Sequence, residues 1–255
     1  MASSVRVVAI VQARMGSSRL PGKVLADVQG KPMLRWLLDR VMVVKEIDEV
    51  VVATTTNPED DVLEEWLNDN EVFCFRGSEG DVLGRFYHCA QDWSPDLVVR
   101  ITADDPLKDP GLISRAISFI LADKTIDYCS NTLAPTYPEG LDIEVFRYTA
   151  LVRAYCNATL LSEREHVTPY IWKHPDKFKL YGFRYEIDLS CWRWTVDNSL
   201  DLDFIRAIYG YFINEPLVSF EKVIDYIREN PDLLEINGST IRNEGYIKSL
   251  KMEGA

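Results

Sequence analysis

Between Gln12 and Lys23 the chain reads Gln-Ala-Arg-Met-Gly-Ser-Ser-Arg-Leu-Pro-Gly-Lys, so that Arg14, Arg19 and Lys23 fall in one short stretch with no acid between them. Gly16 and Gly22 let backbone amides approach an anion closely, and Ser17 and Ser18 add neutral donors. Arginine offers phosphate oxygens a planar fork, and lysine a mobile point charge. The chemistry this set suits is the holding of a phosphate chain. A basic surface loop is the plainer account, and in a chain this acidic it is the weaker one. The spacing is not that of a Walker loop, which needs Ser or Thr where Val24 stands, nor is it GxGxxG.

Carboxylates supply the second chemistry. Ala103-Asp104-Asp105-Pro106 follows the apolar run Leu97–Thr102. Neighbouring residues of an extended chain point in opposite directions, so one aspartate of the pair reaches a given side. Magnesium needs only one or two carboxylates beside water and phosphate oxygens. A polar turn leading into Pro106 explains the pair equally well. Asp197, after Trp194–Val196, is on its own context better explained as a helix cap.

Weaker candidates follow. Arg76, Ser78 and Asp81 occupy a strand-to-helix junction, where Ser78 or Asp81 also fits as a cap. Asp142 and Glu144 alternate within Tyr137–Phe146, as acids on a solvated strand face would. Arg164 and His166 sit in Glu163–Pro169, where a helix-surface ion pair competes with a binding role. His88 and His174 have no partners at metal-ligand spacing and are expected to be structural.

These residues need elements to position them. Val5–Val11 is a β-branched run of the kind covered on both faces of a sheet. Pro32 opens an apolar helical pattern through Met42. Glu49–Thr55 reads as a strand, Asn57-Pro58 starts a helix to about Asn68, and Val72–Phe75 is a short strand. Gly80–Gln91 is helical, Leu97–Thr102 a buried strand, and Gly111–Leu121 a helix after Asp109-Pro110. This strand–helix alternation predicts an α/β fold, a mostly parallel Rossmann-like sheet flanked by helices. Ligands of such sheets sit at the carboxyl ends of the strands, where the loop from Gln12 and the turn at Asp104 both lie.

The second half is less regular. Tyr137–Phe146 reads as a strand pair or a loop entering a strand, and Trp194–Val196 as a short strand. Arg147–Asn157 and Ser162–Lys173 read as helices, and Lys179–Ile187 as an exposed strand. Ser199–Phe212 and Ser219–Glu229 are amphipathic helices. No repeat or linker divides the chain, so residues 1–255 are expected to form one domain, with a smaller inserted β/α arm at about 130–190.

Bulk composition bounds the partners. With 28 basic and 40 acidic residues among 255, the net charge of −12 repels polyanions and argues against nucleic acid. No membrane span or signal segment is expected, and the five scattered cysteines read as reduced thiols. The expected location is cytoplasmic.

The loop from Gln12 to Lys23, followed by Gly30-Lys-Pro-Met33, resembles the sugar cytidylyltransferases over roughly residues 5–210. It is most similar to the spore-coat polysaccharide biosynthesis F family and more distantly to the keto-deoxy-octulosonate and acylneuraminate cytidylyltransferases. The resemblance implies a nucleotide-diphospho-sugar transferase fold. The implied reaction transfers CMP from CTP to a sugar-type acceptor, a nonulosonic or other ulosonic acid, with pyrophosphate leaving. Its cofactor would be Mg2+, held by Asp104 and Asp197, with Asp105 the second choice. Asp104 matches the aspartate of the family's Gly-Asp-x-Pro segment, with Ala103 in the glycine's place. Asp197 matches the first aspartate of a Val-Asp-Thr-Pro-Glu-Asp stretch, from which Asn198 to Asp201 depart.

The resemblance further implies nucleotide contacts from Gln12, Ala13, Arg14, Gly16, Ser17, Ser18, Arg19, Lys23, Arg76, Ser78 and Asp81, with Arg14 and Lys23 counted among the catalytic set. Acceptor contacts would come from Asp142, Glu144, Arg164 and His166, and relatives pair as homodimers through the arm. The alternatives are a nucleotidyltransferase for a sugar 1-phosphate or a non-sugar acid, and a nucleotide-binding module without catalysis.

Overall fold

A computed structural model of the chain describes residues 5–238, 242 and 244–254. The first half alternates strand and helix: β1 (Val7–Gln12), α1 (Met33–Met42), β4 (Glu49–Thr55), α2 (Asp61–Asp69), β5 (Phe73–Gly77), α3 (Val82–Trp93), β6 (Leu97–Thr102) and α4 (Pro110–Ala122). A small antiparallel ribbon, β2 (Asp27–Val28) with β3 (Lys31–Pro32), precedes α1. The second half adds β7 (Tyr128–Ser130), β8 (Glu144–Arg147), α5 (Tyr148–Asn157), α6 (Leu161–His166), α7 (Pro169–Trp172) and β9 (Leu180–Gly182). It closes with α8 (Ser199–Tyr211), α9 (Phe220–Glu229) and α10 (Glu244–Met252).

Seven strands form one sheet in the order β5-β4-β1-β6-β8-β7-β9. Only β8 runs against its neighbours; the pairs β1–β4, β1–β6, β4–β5 and β7–β9 are parallel. The strands contributed by the arm therefore extend the main sheet. β1 shows why its run of apolar residues makes a central strand. Val7, Ala9 and Val11 enter one core layer while Val8 and Ile10 enter the opposite one. Each fully buried Val or Ile side chain contributes about 1.5–3 kcal/mol, so a strand without a polar face is stable only here, between two helical layers. Among the described residues no helix is long and apolar enough to cross a membrane.

The second half departs from expectation in three places, each for a local reason. The helix expected over Ser162–Lys173 is broken in two at Val167, whose φ is 71°. Pro169 has no N–H to donate and takes the first position of the separate helix α7. The strand expected over Lys179–Ile187 is three residues long, because Phe183 turns into the core and the Tyr185 amide donates to Thr136 Oγ1 (2.8 Å). Trp194–Val196 forms no strand; beside an isolated bridge between Glu139 and Arg193, its backbone is held by the Trp194 amide donating to the Glu139 carbonyl (2.7 Å) and the Val196 amide donating to the Asp104 carbonyl (2.8 Å).

Candidate functional site

β1 ends at Gln12, and the chain then crosses the carboxyl edge of the sheet as an irregular loop. Gly22 takes φ 73°, the left-handed turn that feeds Lys23 into a short 3₁₀ helix. The other end of the loop is fixed by Asp60, a fully buried carboxylate on the connection into α2. It accepts from the Met15 amide (2.6 Å), the Thr55 amide (3.2 Å) and the Thr55 hydroxyl. Among the described residues, the N–H groups of Gly16, Ser18 and Arg19 donate to no protein acceptor, whereas those of Ser17 and Gly22 both donate to the Met15 carbonyl. The loop is thus pinned at both ends, with donors left over between, which is the arrangement that binds anions.

Lys23 is the centre of the site. Its side chain is nearly buried, and its ammonium donates to Asp104 Oδ2 (3.0 Å), Asp197 Oδ1 (3.0 Å) and the Val196 carbonyl (2.6 Å). Burial works against the charge, but the two carboxylates outweigh it and hold the ammonium above its ordinary value. The two aspartates come from distant segments: Asp104 from the turn after β6, Asp197 from the residues before α8. The segments are joined by the Val196 amide donating to the Asp104 carbonyl (2.8 Å). Gly140 makes that junction possible, since at φ 104° a Cβ there would lie 2.8 Å from the Thr195 nitrogen.

Asp197 is not the cap of α8. Asn198 does that work, accepting from the amides of Leu200 (2.9 Å) and Asp201 (3.1 Å), while Asp201 reaches back to the Asn198 amide (3.1 Å). The Asp197 carboxylate is instead turned to the cleft, gripped by Arg193 (2.6 Å) and Arg19 (2.8 Å) as well as Lys23. Burial opposes its ionisation, yet the charge and hydrogen bond of Lys23, with Arg193 and Arg19, bring its pKa down to about 2. Asp105 is engaged elsewhere: it is buried, with Oδ2 accepting from Lys108 Nζ (2.8 Å) and Thr102 Oγ1 (2.6 Å).

Asp104 and Asp197 both reach one atom and both line the same cavity, so they fit a divalent cation that draws its remaining ligands from water and phosphate. Among the described residues no group of three or more His, Cys, Asp or Glu is placed to hold a metal alone. That donor count suits magnesium better than zinc.

The cleft has two lobes sharing Arg100 and His166. One, of about 350 Å3, is lined by Gln12, Arg14, Gly80 and Arg85. Here Gln12 Oε1 and Arg85 Nε are buried with no hydrogen-bond partner among the described residues. Burial, with the Arg14 charge nearby, lowers the Arg85 guanidinium to about 10. Arg14 itself is exposed and paired with Glu79 (2.5 Å). The other lobe, of about 460 Å3, runs from Asp104 and Asp197 past Asp142 and Glu144 to Trp172 and Tyr246. Glu144 is cross-strand partner to Arg100 and ion-paired with it, and also accepts from Tyr128 (2.6 Å) and Thr168 (2.5 Å). Burial opposes its charge, but Arg100 and these hydroxyls hold the carboxyl below its usual range. Asp142 is paired with Arg242 (2.6 Å), and His166 meets Ser249 Oγ (3.0 Å).

Not every candidate faces the cleft. Arg76 is turned onto Asp61 and Glu64 (2.7 Å each) and the carbonyls of Thr55 and Asn57 (2.8 Å each). Asp81 caps α3, accepting from the Gly84 amide (2.9 Å), and Ser78 Oγ accepts from the Asp81 amide (3.1 Å). Arg164 pairs with Asp81 and donates to the Tyr155 carbonyl (3.0 Å). Sequence reasoning missed Asp60, Arg85, Arg100 and Arg193, each buried or nearly so and defined by what distant segments bring to it. Buried charges are rarely left unpaired, but nothing local in the sequence marks which charges are buried.

Residues 8–237 match the profile of a protein family described as cytidylyltransferase. The spore coat polysaccharide biosynthesis protein SpsF of Bacillus subtilis is 33% identical over 235 residues, covering 88% of this chain and 94% of that protein. The structure of a cytidylyltransferase from Leptospira borgpetersenii superimposes with a TM-score of 0.87 at 33% identity, covering 94% of this chain and all of that one. A CMP:2-keto-3-deoxy-manno-octonic acid synthetase complexed with CTP shares the fold at a TM-score of 0.65 and 19% identity, covering 81% of this chain and 99% of that one. The fold is that of the nucleotide-diphospho-sugar transferases.

Proposed function

This chain belongs to the cytidylyltransferase family, and on that premise we propose that it transfers CMP from CTP to a hydroxyl of a sugar-type acceptor, an ulosonic acid, and releases pyrophosphate for surface glycan synthesis. The observation that carries the reading is the meeting of Lys23 with Asp104 and Asp197 at the foot of a loop whose Gly16, Ser18 and Arg19 amides donate to no acceptor among the described residues.

In this reading the triphosphate lies along Gly16 to Arg19. Arg14, Arg19 and Lys23 offset its charge and that of the departing pyrophosphate. The base enters the smaller lobe, where the unpartnered Gln12 and Arg85 groups are available to it. The acceptor occupies the larger lobe, with its hydroxyl towards Asp104 and Asp197. Magnesium bound by these two aspartates would neutralise phosphate oxygens and make the acceptor hydroxyl more acidic. Direct displacement at the α-phosphorus depends mainly on in-line positioning and charge; the two lobes meet at Arg100 and His166, and the aspartate pair lines the acceptor lobe.

The name of SpsF supports a polysaccharide role, and the octonic acid synthetase, which shares the fold, supports CTP and a sugar acid. Pairing of two copies through the arm is supported by exposed Leu160, Leu161, Tyr181 and Ile187 along it. A cytoplasmic setting is supported by five free thiols.

The test combines two measurements. Thermal shifts with each of the four nucleoside triphosphates and Mg2+ should single out CTP. Pyrophosphate release is then followed with CTP and a panel of ulosonic acids, sugar 1-phosphates and small carboxylates. Release with a sugar 1-phosphate or a non-sugar acid alone would reassign the acceptor. CTP binding with no release in any combination would make the chain a binding module.

A further inference from the structure

The matched family region ends at residue 237, yet the wall of the larger lobe does not. α10 begins at Glu244 and places Glu244, Gly245 and Tyr246 on that wall. The helix is fastened to α6 at several points. Ser249 Oγ donates to Glu165 (2.6 Å) and meets His166 Nε2 (3.0 Å), and Glu253 accepts from the Ser162 amide and hydroxyl. The Tyr246 ring stands edge-on to Trp172 (5.8 Å between centroids) and to His166 (5.2 Å).

Glu244 is ion-paired with Arg19, whose other nitrogen lies 2.8 Å from Asp197. Arg19 belongs to the loop assigned to the triphosphate, and its guanidinium is held by two carboxylates. A triphosphate carries more charge than one carboxylate and offers a guanidinium several oxygens. Both Arg19 and Glu244 are about one-third exposed, so exchange between these partners meets no large desolvation cost. Lys248, 3.0 Å from Glu244, remains beside the released carboxylate and keeps it ionised. A carboxylate accepts hydrogen bonds only, and it then faces a lobe with Tyr246 and Trp172 on one side and Asp142 and Glu144 further in. Such a wall suits the hydroxyls and the apolar ring face of a sugar.

We propose that Glu244 is an acceptor-binding residue which Arg19 holds until the triphosphate takes Arg19, so that the nucleotide binds first and completes the acceptor site. This rests on the nucleotidyl-transfer reading above. It makes α10 a working part of the active site.

Calorimetric titration of the full chain with CTP and Mg2+ tests the exchange without knowledge of the acceptor. Glu244→Gln should tighten CTP binding by about two- to fivefold, the scale of one exposed ion pair removed from competition. Arg19→Gln should weaken CTP, and in that background Glu244→Gln should have no further effect. Unchanged or weaker CTP binding by Glu244→Gln, or an effect that persists without Arg19, overturns the proposal. With whichever acceptor of the panel supports pyrophosphate release, Glu244→Gln should raise the acceptor KM while lowering that for CTP; an unchanged acceptor KM overturns the acceptor role. Failure of the wild-type chain to bind CTP would sink the underlying reading instead, so the two failures are distinct.

Discussion

The ammonium of Lys23 donates to the carboxylate of Asp104 at 3.0 Å across a sequence separation of 81 residues. Sheet order accounts for this meeting. β1 and β6 are parallel neighbours with Gln12 opposite Thr102, so the loop after one strand and the turn after the other leave the same edge side by side. Asp197 joins them through the backbone bond from Val196 to Asp104. In this arrangement Lys23 offsets the repulsion of two carboxylates that the proposed chemistry needs close together.

Asp104→Ala should abolish turnover while leaving the fold intact. Lys23 keeps its bonds to Asp197 and to the Val196 carbonyl, and Asp104 is partly exposed, so no buried charge is stranded. A loss of at least about 10²-fold in pyrophosphate release is expected, the scale of removing one group that stabilises transition-state charge. Near-wild-type release alongside an unchanged circular-dichroism spectrum would remove Asp104 from the mechanism.

Lys23→Met tests the electrostatics of the pair in the opposite sense. It leaves Asp104 and Asp197 facing each other without their shared cation; breaking a buried ion pair costs about 3–5 kcal/mol, and the partial exposure of Asp104 and the arginines still on Asp197 bring the loss to the lower end of that range. The melting temperature in chelator should fall by roughly 10 °C, on the usual scale for a chain of this size. Millimolar Mg2+ should restore more stability to the variant than it adds to the wild type, because the metal can take over the lost charge. Equal shifts in both proteins would mean that the two aspartates do not bind the ion together. The variant's KM for CTP should also rise.

What was legible in the sequence was what local composition can carry. Three cations punctuated by glycines identify the loop, and the unbroken apolar run of β1 places it at the carboxyl edge of a two-sided sheet. Asp197 reads from its own context as a helix cap, and only the hydrogen bonds to Leu200 and Asp201 give that role to Asn198. Arg76 shows the reverse case. Its position at the carboxyl end of β5 suits a ligand contact, but Asp61 and Glu64 draw the side chain away. Arg193 was invisible as a site residue because its partners Glu139, Asp197 and Asp201 converge only when the 139–142 loop packs on the segment before α8. α10 carries too weak an apolar pattern to be read, and its place is set by polar contacts with α6.

Acid should expose the contribution of Asp197. Its pKa is about 2 in the folded chain against an ordinary 3.8, so between those values the unfolded state binds more protons than the folded one. Stability from this group is therefore fully present above about pH 4 and is lost as pH falls towards 2. The shift corresponds to about 2 kcal/mol, of which about 1 kcal/mol should be gone by pH 3. Urea unfolding of the wild type and Asp197→Asn at pH 6 and pH 3 measures it, and the gap between the two proteins should narrow at the lower pH. A gap that stays constant or widens would contradict the depressed pKa.

Asp60 lies outside the cavities, yet it should govern nucleotide affinity. Its buried carboxylate joins the Met15 amide in the phosphate loop to the end of β4 at Thr55, so it sets where the loop's free amides point. Asp60→Ala strands three donors, and with about 1–3 kcal/mol for each buried group left unsatisfied the loss should be near 3 kcal/mol after partial hydration. Asp60→Asn retains one carbonyl oxygen for the Met15 amide and should lose less. If the carboxylate acts by positioning the loop, the KM for CTP should rise in step with the loosening, more for the alanine than for the asparagine variant, while the pH profile of turnover is unchanged. Loss of stability with an unaltered KM for CTP would show that Asp60 supports the fold without orienting the loop.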